Sequence, residues 1–161
     1  MPYVRGRDGR LTPLRRKPSE IVEAIRKGKI KFIDLQFTDV PGKFHHITLP
    51  ISALDKALEE GAEKLDGSSV KGFKEIEESD LSLKPDPRTF AVLPWKGVEG
   101  TARFICEVHD TMDRGRLEND PRYVAERAEA YLRERGWTSY WGPEPEFFIF
   151  DSVELDVTDP H

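Results

Sequence analysis

Two periods alternate along this chain. Between Ser19 and Lys27, Ile21, Ala24 and Ile25 recur at helical spacing, which predicts a helix capped by Ser19 and stopped by a left-handed Gly28. From Ile30 to Phe37 the period becomes two. Ile33, Leu35 and Phe37 fall on one face of a predicted strand, Asp34 and Gln36 on the other. A second strand is predicted from Lys43 to Leu49. The connection Thr38-Asp39-Val40-Pro41-Gly42 reads as a hairpin turn, because proline presets φ and glycine accepts a positive φ.

Ser52 is placed to cap a short helix carrying Ala53, Leu54, Ala57 and Leu58, ended by Gly61. The stretch from Lys64 to Pro87 is crowded with Gly, Asp, Ser and Pro and reads as loops. Arg88 to Trp95 and Thr101 to His109 read as two further strands around a glycine-bearing turn. Hairpin, helix, then more strands is the element order of a β-grasp domain, a small sheet clasping a helix, although other α+β folds share that order.

At Asn119 the helical period returns. Asp120 precedes Pro121 at a natural first helical position, Val124, Ala128, Tyr131 and Leu132 form an apolar stripe, and Gly136 closes the helix. A strand from Ser139 to Asp151 is expected next, with Trp137, Tyr140 and Trp141 packing behind it. One helix and one strand cannot bury their own apolar faces, so this part is expected to open a second domain. The polar stretch Thr111 to Glu118 is the boundary. The expected fold is α+β, with a basic arm over 1–17, a β-grasp-like domain over 18–111 and the start of another α+β domain over 112–161.

Composition narrows the function classes. Apolar residues make up 37% of the 161 and charged residues 34%, as in a globular protein with a modest core. A net charge of −5 gives no ground for a nucleic acid or membrane partner. No apolar run approaches the roughly 20 residues that span a bilayer. The single Cys106 excludes an internal disulfide and fits a reducing cytosol, so a cytoplasmic location is expected. The arm carries Arg5, Arg7, Arg10, Arg15, Arg16 and Lys17 against Asp8 alone, without the apolar core of a secretory signal. It reads as an extended or partly disordered arm, or as a contact for a subunit or polyanion.

The candidate chemistry lies in Gly142-Pro143-Glu144-Pro145-Glu146-Phe147. On an extended backbone Glu144 and Glu146 project from one face, where two like charges repel unless a cation or hydrogen bonds compensate. A hard divalent ion such as Mg2+ or Mn2+ is one compensation, since it takes oxygen ligands. Two solvated glutamates on a strand edge are the plainer alternative. Asp39 before Pro-Gly is an ordinary turn aspartate by position, bonding nearby backbone N–H groups. His45 and His46 alternate across a strand and cannot both face one metal, so both are read as structural or solvated. Cys106 reads as a small buried apolar group.

Several segments together resemble the N-terminal region of bacterial and archaeal glutamine synthetase. They are Phe37-Thr38-Asp39-Val40-Pro41-Gly42-Lys43 with His46-Ile47-Thr48, Asp66-Gly67-Ser68-Ser69-Val70-Lys71-Gly72-Phe73, Glu78-Ser79-Asp80-Leu81 with Pro85-Asp86, Asn119-Asp120-Pro121-Arg122, and the Glu144 and Glu146 motif. They occur in the family's order from residue 37 to residue 151, and the basic arm lies outside the resemblance.

The resemblance implies a ligase that makes glutamine from glutamate, ammonium and ATP through γ-glutamyl phosphate. It implies two sites for Mg2+ or Mn2+ in a funnel between adjacent subunits, usually in a dodecamer. By the same resemblance Glu144 corresponds to a ligand of the metal near the ATP phosphates. Glu146 corresponds to a ligand of the metal near glutamate and the ammonium site, and Asp39 to the aspartate that helps form the ammonium site across the subunit boundary. Asp66, Ser68 and Ser69 are expected to shape their loop or a subunit contact. The family's remaining ligands are expected beyond His161, so the chain alone is expected to be inactive. Two alternatives remain: a stand-alone β-grasp assembly module, and a related ligase that joins glutamate to another amine.

Overall fold

The computed structural model describes residues 3–5, 11–13, 21, 23, 25, 27, 30–58, 62–74, 79–94, 100–112 and 115–155. Tyr3–Arg5 (β1) and Leu11–Pro13 (β2) pair antiparallel as a separate two-stranded ribbon. The described residues of the arm are thus extended and paired with one another. Ile21, Glu23, Ile25 and Lys27 are helical, with Ile21 and Ile25 buried as their spacing predicts. Ser19, Ala24 and Gly28, expected to cap, pack and stop this helix, lie outside the described residues.

Phe32–Thr38 (β3) and Phe44–Pro50 (β4) form the expected hairpin, in register from Phe32 opposite Pro50 to Thr38 opposite Phe44. Thr101–Asp110 (β8) is the spine of the main sheet. Its first half runs parallel to β3, and its second half runs antiparallel to Asp80–Pro85 (β6). Ala62–Asp66 (β5) adds beyond β6, giving the order β4-β3-β8-β6-β5, and Ala91–Val92 (β7) pairs with β8 as the sixth strand. Leu35, Leu81, Leu83, Phe104 and Val108 are completely buried. Each such side chain contributes about 1.5–3 kcal/mol relative to exposure.

Three expectations change here. The stretch from Lys64 to Pro87 is not all loop, because β5 and β6 occupy its two ends. Leu81 and Leu83 alternate into the core, and Pro85 is tolerated as the last residue of its strand. Of the strand expected from Arg88 to Trp95, only Ala91–Val92 (β7) pairs among the described residues. Pro87–Thr89 instead form a 3-10 turn whose cap, Asp86, accepts from the Arg88 N–H at 3.0 Å, and Trp95 lies outside the described residues. Ser52 is not a helix cap: β4 runs on to Pro50, whose φ of −65° starts a 3-10 turn at Ile51, leading into Leu54–Lys56. Gly61, the expected end of that helix, lies outside the described residues.

The helix Pro121–Glu134 begins and ends as its sequence predicts. Asp120 accepts from the Arg122 N–H at 3.0 Å, and Gly136 takes a φ of +72°. Its apolar stripe is nevertheless uncovered, with Val124 and Tyr131 about half exposed. The strand expected from Ser139 to Asp151 is not formed. Trp137, Tyr140 and Trp141 are exposed rather than packed, at 63%, 93% and 84%. A strand needs a ladder partner, and here Pro143 and Pro145 each remove a donor.

Candidate functional site

Three separate motifs meet around the β3–β4 turn. The Asp39 N–H donates to the Lys43 carbonyl and the Gly42 N–H to the Asp39 carbonyl, each at 3.0 Å, while Gly42 takes a φ of +94°. This folds the Asp39 side chain back over its own turn, where it is only 3% exposed. Oδ1 accepts from the Lys43 N–H at 2.6 Å, and Oδ2 lies 2.9 Å from His45 Nε2. His45 stacks on Phe37, its partner across the hairpin, with ring centroids 5.4 Å apart and planes 17° from parallel. These hydrogen bonds, the one from His45 foremost, hold the Asp39 carboxyl below its ordinary value of 3.8. His46, on the opposite face, is exposed.

The loop after β5 packs against this turn. Asp66 accepts from the Ser68 N–H at 3.0 Å, from Ser68 Oγ at 2.7 Å and from Ser69 Oγ at 3.0 Å, which shapes the 3-10 turn Gly67–Ser69. Those bonds lower the Asp66 pKa. Gly67 is required by space, since a Cβ there would lie 2.7 Å from Leu81 Cδ1. Gly72 is required twice over: its φ is +86°, and a Cβ would lie 2.8 Å from Val40 Cβ in the hairpin turn. Asn119 closes the group from just before the long helix, its amide donating to the Phe73 carbonyl at 3.1 Å and also to that of Gly72.

A second cluster ties that helix to the sheet. Asp86, 5% exposed, accepts from Arg88 Nε at 2.8 Å, from an Arg88 terminal nitrogen at 2.7 Å and from Arg122. Burial alone would raise its pKa, but the Arg88 bonds and the two guanidinium charges outweigh this and hold it low. Asp120, 1% exposed, accepts from Arg116 at 3.2 Å, and Arg116 also pairs with Glu126 at 2.8 Å. An open cleft of about 500 Å³ lies beside this cluster, lined by Arg88, Glu107, Arg122, Glu126, Glu129 and Arg133 among others. Cys106 is buried in the sheet, and its thiol is pushed up to about 12 by desolvation.

Glu144 and Glu146 lie far along the chain from both clusters, in the exposed segment after Gly136. Neither makes a hydrogen bond or ion pair among the described residues. Their donor chemistry fits a hard divalent cation, but the described residues hold no group of three or more potential ligands. The two glutamates by themselves do not make a complete coordination set among the described residues. Asp39 stands with one partner that its sequence position did not reveal, since His45 reaches it only through the hairpin register.

Comparison with known proteins gives the family and the fold. The family model described as "Glutamine synthetase, beta-Grasp domain" matches residues 29–111, and "Glutamine synthetase, catalytic domain" matches residues 118–160. A glutamine synthetase of Sulfolobus acidocaldarius is 48% identical over 142 residues, covering 88% of this chain and 30% of that protein. A 3-hydroxylaminophenol mutase of Cupriavidus pinatubonensis is 40% identical, covering 86% of this chain and 30% of its own length. A solved Plasmodium falciparum glutamine synthetase superposes with a TM-score of 0.64 at 18% identity, over 75% of this chain and 23% of that one. The chain thus spans about 30% of the length of the curated relatives it matches. Its mixed sheet is that of the β-grasp domain, and the chain belongs to the glutamine synthetase family.

Proposed function

We propose that this chain serves as the N-terminal portion of an ATP-dependent glutamate–ammonia ligase, with a β-grasp domain over 18–111 and the opening of the catalytic domain over 112–161. The observation that carries this reading is the pair of family models matched in order along one chain. Glutamate's γ-carboxylate takes the γ-phosphoryl group of ATP, forming γ-glutamyl phosphate. Ammonia then attacks the carbonyl carbon of that γ-carboxyl group, and phosphate leaves as the amide bond forms. Ammonium must lose a proton before its nitrogen can attack. Asp39, kept ionised by its hydrogen bonds, attracts the cation and accepts that proton at the site of an adjacent subunit.

Glu144 would hold a divalent cation, Mg2+ or Mn2+, near the ATP phosphates, and Glu146 would hold one near glutamate. Such a cation offsets charge on the phosphoryl oxygens. The exposed strip after Gly136 suits segments that complete a funnel between subunits, with a dodecamer as the expected assembly. A cytoplasmic location fits the lone, buried Cys106, and no helix among the described residues is long and apolar enough to cross a membrane. A ligase for another amine is the second reading: a relative 40% identical carries a name other than glutamine synthetase, so membership of the family does not by itself fix the reaction.

The test is a chimera in which this chain replaces the matching part of the Sulfolobus acidocaldarius enzyme. Ammonium- and ATP-dependent glutamine formation by the chimera, and none by the chain alone, is the expected result. An assembled chimera that consumes ATP only with another amine would support the second reading. One that makes no amide product would overturn both.

A further inference from the structure

The Asp39 carboxylate has four lone-pair positions: the Lys43 N–H bonds Oδ1, His45 holds Oδ2 and the Gly42 N–H also bears on the group, which leaves room for a further donor. A carboxylate can only accept, so while Asp39 is ionised the proton of this contact resides on His45 Nε2. With Oδ1 alone anchored, the terminal torsion of an aspartate turns within a broad well. The second anchor removes that freedom. It is itself held, because His45 lies flat on Phe37 and Phe37 meets Phe73 with ring centroids 6.1 Å apart. Phe73 belongs to the loop that Asn119 grips. A continuous packed path therefore runs from the loop through two rings to the carboxylate.

We propose that His45 is a positioning residue for Asp39: its Nε2–H fixes the carboxylate so that the open lone pairs meet a small nitrogen cation in one orientation. The proposal rests on the role given to Asp39 above and adds a residue that touches no substrate. A displaced carboxylate would weaken its grip on the cation while leaving glutamate and ATP untouched. Misplacement by about 1 Å costs up to about 100-fold in rate.

The test uses the chimera described above. His45→Ala should raise the KM for ammonium about 10-fold, with the KM values for glutamate and ATP unchanged. His45→Gln, whose amide can donate to the same oxygen, should recover most of the loss. Should His45→Ala fail to fold, His45→Leu keeps the apolar contact with Phe37 without the donor and is expected to match it. Nitrogen NMR of the chain alone should find the proton on Nε2 of His45. Equal ammonium KM values across wild type, Ala and Gln would overturn the proposal while the ligase reading stood. So would a fall in that KM without His45, which would mean that the ring competes with the cation. A wild-type chimera that makes no glutamine would bring down the ligase reading itself.

Discussion

The sheet from β3 to β8 and the strip from Trp137 to Leu155 are both rich in large apolar residues, yet they meet opposite fates. In the sheet, Phe104 and Leu35 are fully buried and each strand has a paired neighbour. In the strip, Phe147, Phe148 and Ile149 are 78%, 87% and 87% exposed, and no ladder forms. The difference is partnership rather than composition. A helix end can be built from local signals, as Asp120 and Gly136 show, whereas a strand is a relation between two segments. The candidate chemistry divides along the same line. Asp39 sits in finished surroundings, and Glu144 and Glu146 do not.

That contrast can be broken at its strong end. Phe104→Ala should remove about 3–5 kcal/mol from the stability of the folded chain, measured by urea unfolding. A loss as small as a surface change would mean that the sheet core is not the source of stability. Asp86→Asn should cost about 2 kcal/mol, less than a fully buried pair because Arg88 is half exposed, and should loosen the long helix in hydrogen exchange. Asp86 titrates below 3.8 when folded, so its contribution is complete above that value and is lost as pH falls through the lower, folded pKa. Wild type should therefore lose stability below about pH 4. Asp86→Asn should show a shallower loss.

Cys106 gives a smaller, local readout. With its thiol raised to about 12, it should resist maleimide at pH 8 until the chain unfolds. Rapid native labelling would place it outside the core. At the weak end, Phe147→Ser should change stability by less than about 0.5 kcal/mol, because the side chain covers nothing in this chain. A large loss would show that the strip is packed after all.

How much was readable from the residues follows the same logic. β3, β4 and β8 were legible because Ile33, Leu35, Phe37 and their counterparts alternate over enough positions to outweigh their neighbours. β5 and β6 were not, since Leu65 and Leu81 sit among Asp, Gly and Ser that look like loop, and their pairing spans a long insertion. The strip misled in the other direction: its pattern is strand-like, but no described segment pairs with it. At the site, Asp39 was legible as a turn aspartate. Its bond to His45 depends on hairpin register, and the Asp86–Arg122 pair, 36 positions apart, leaves no local period to read.

The central claim is that Asp39 of one subunit serves the glutamates of its neighbour. It is tested most directly by mixing two chimeras, Asp39→Asn and Glu146→Gln, each expected to be inactive alone. In rings assembled from equal amounts, about a quarter of the sites pair an intact glutamate with an intact aspartate from the adjacent copy, so about that share of wild-type glutamine formation should return. Hybrid rings that form but stay inactive would contradict the shared site.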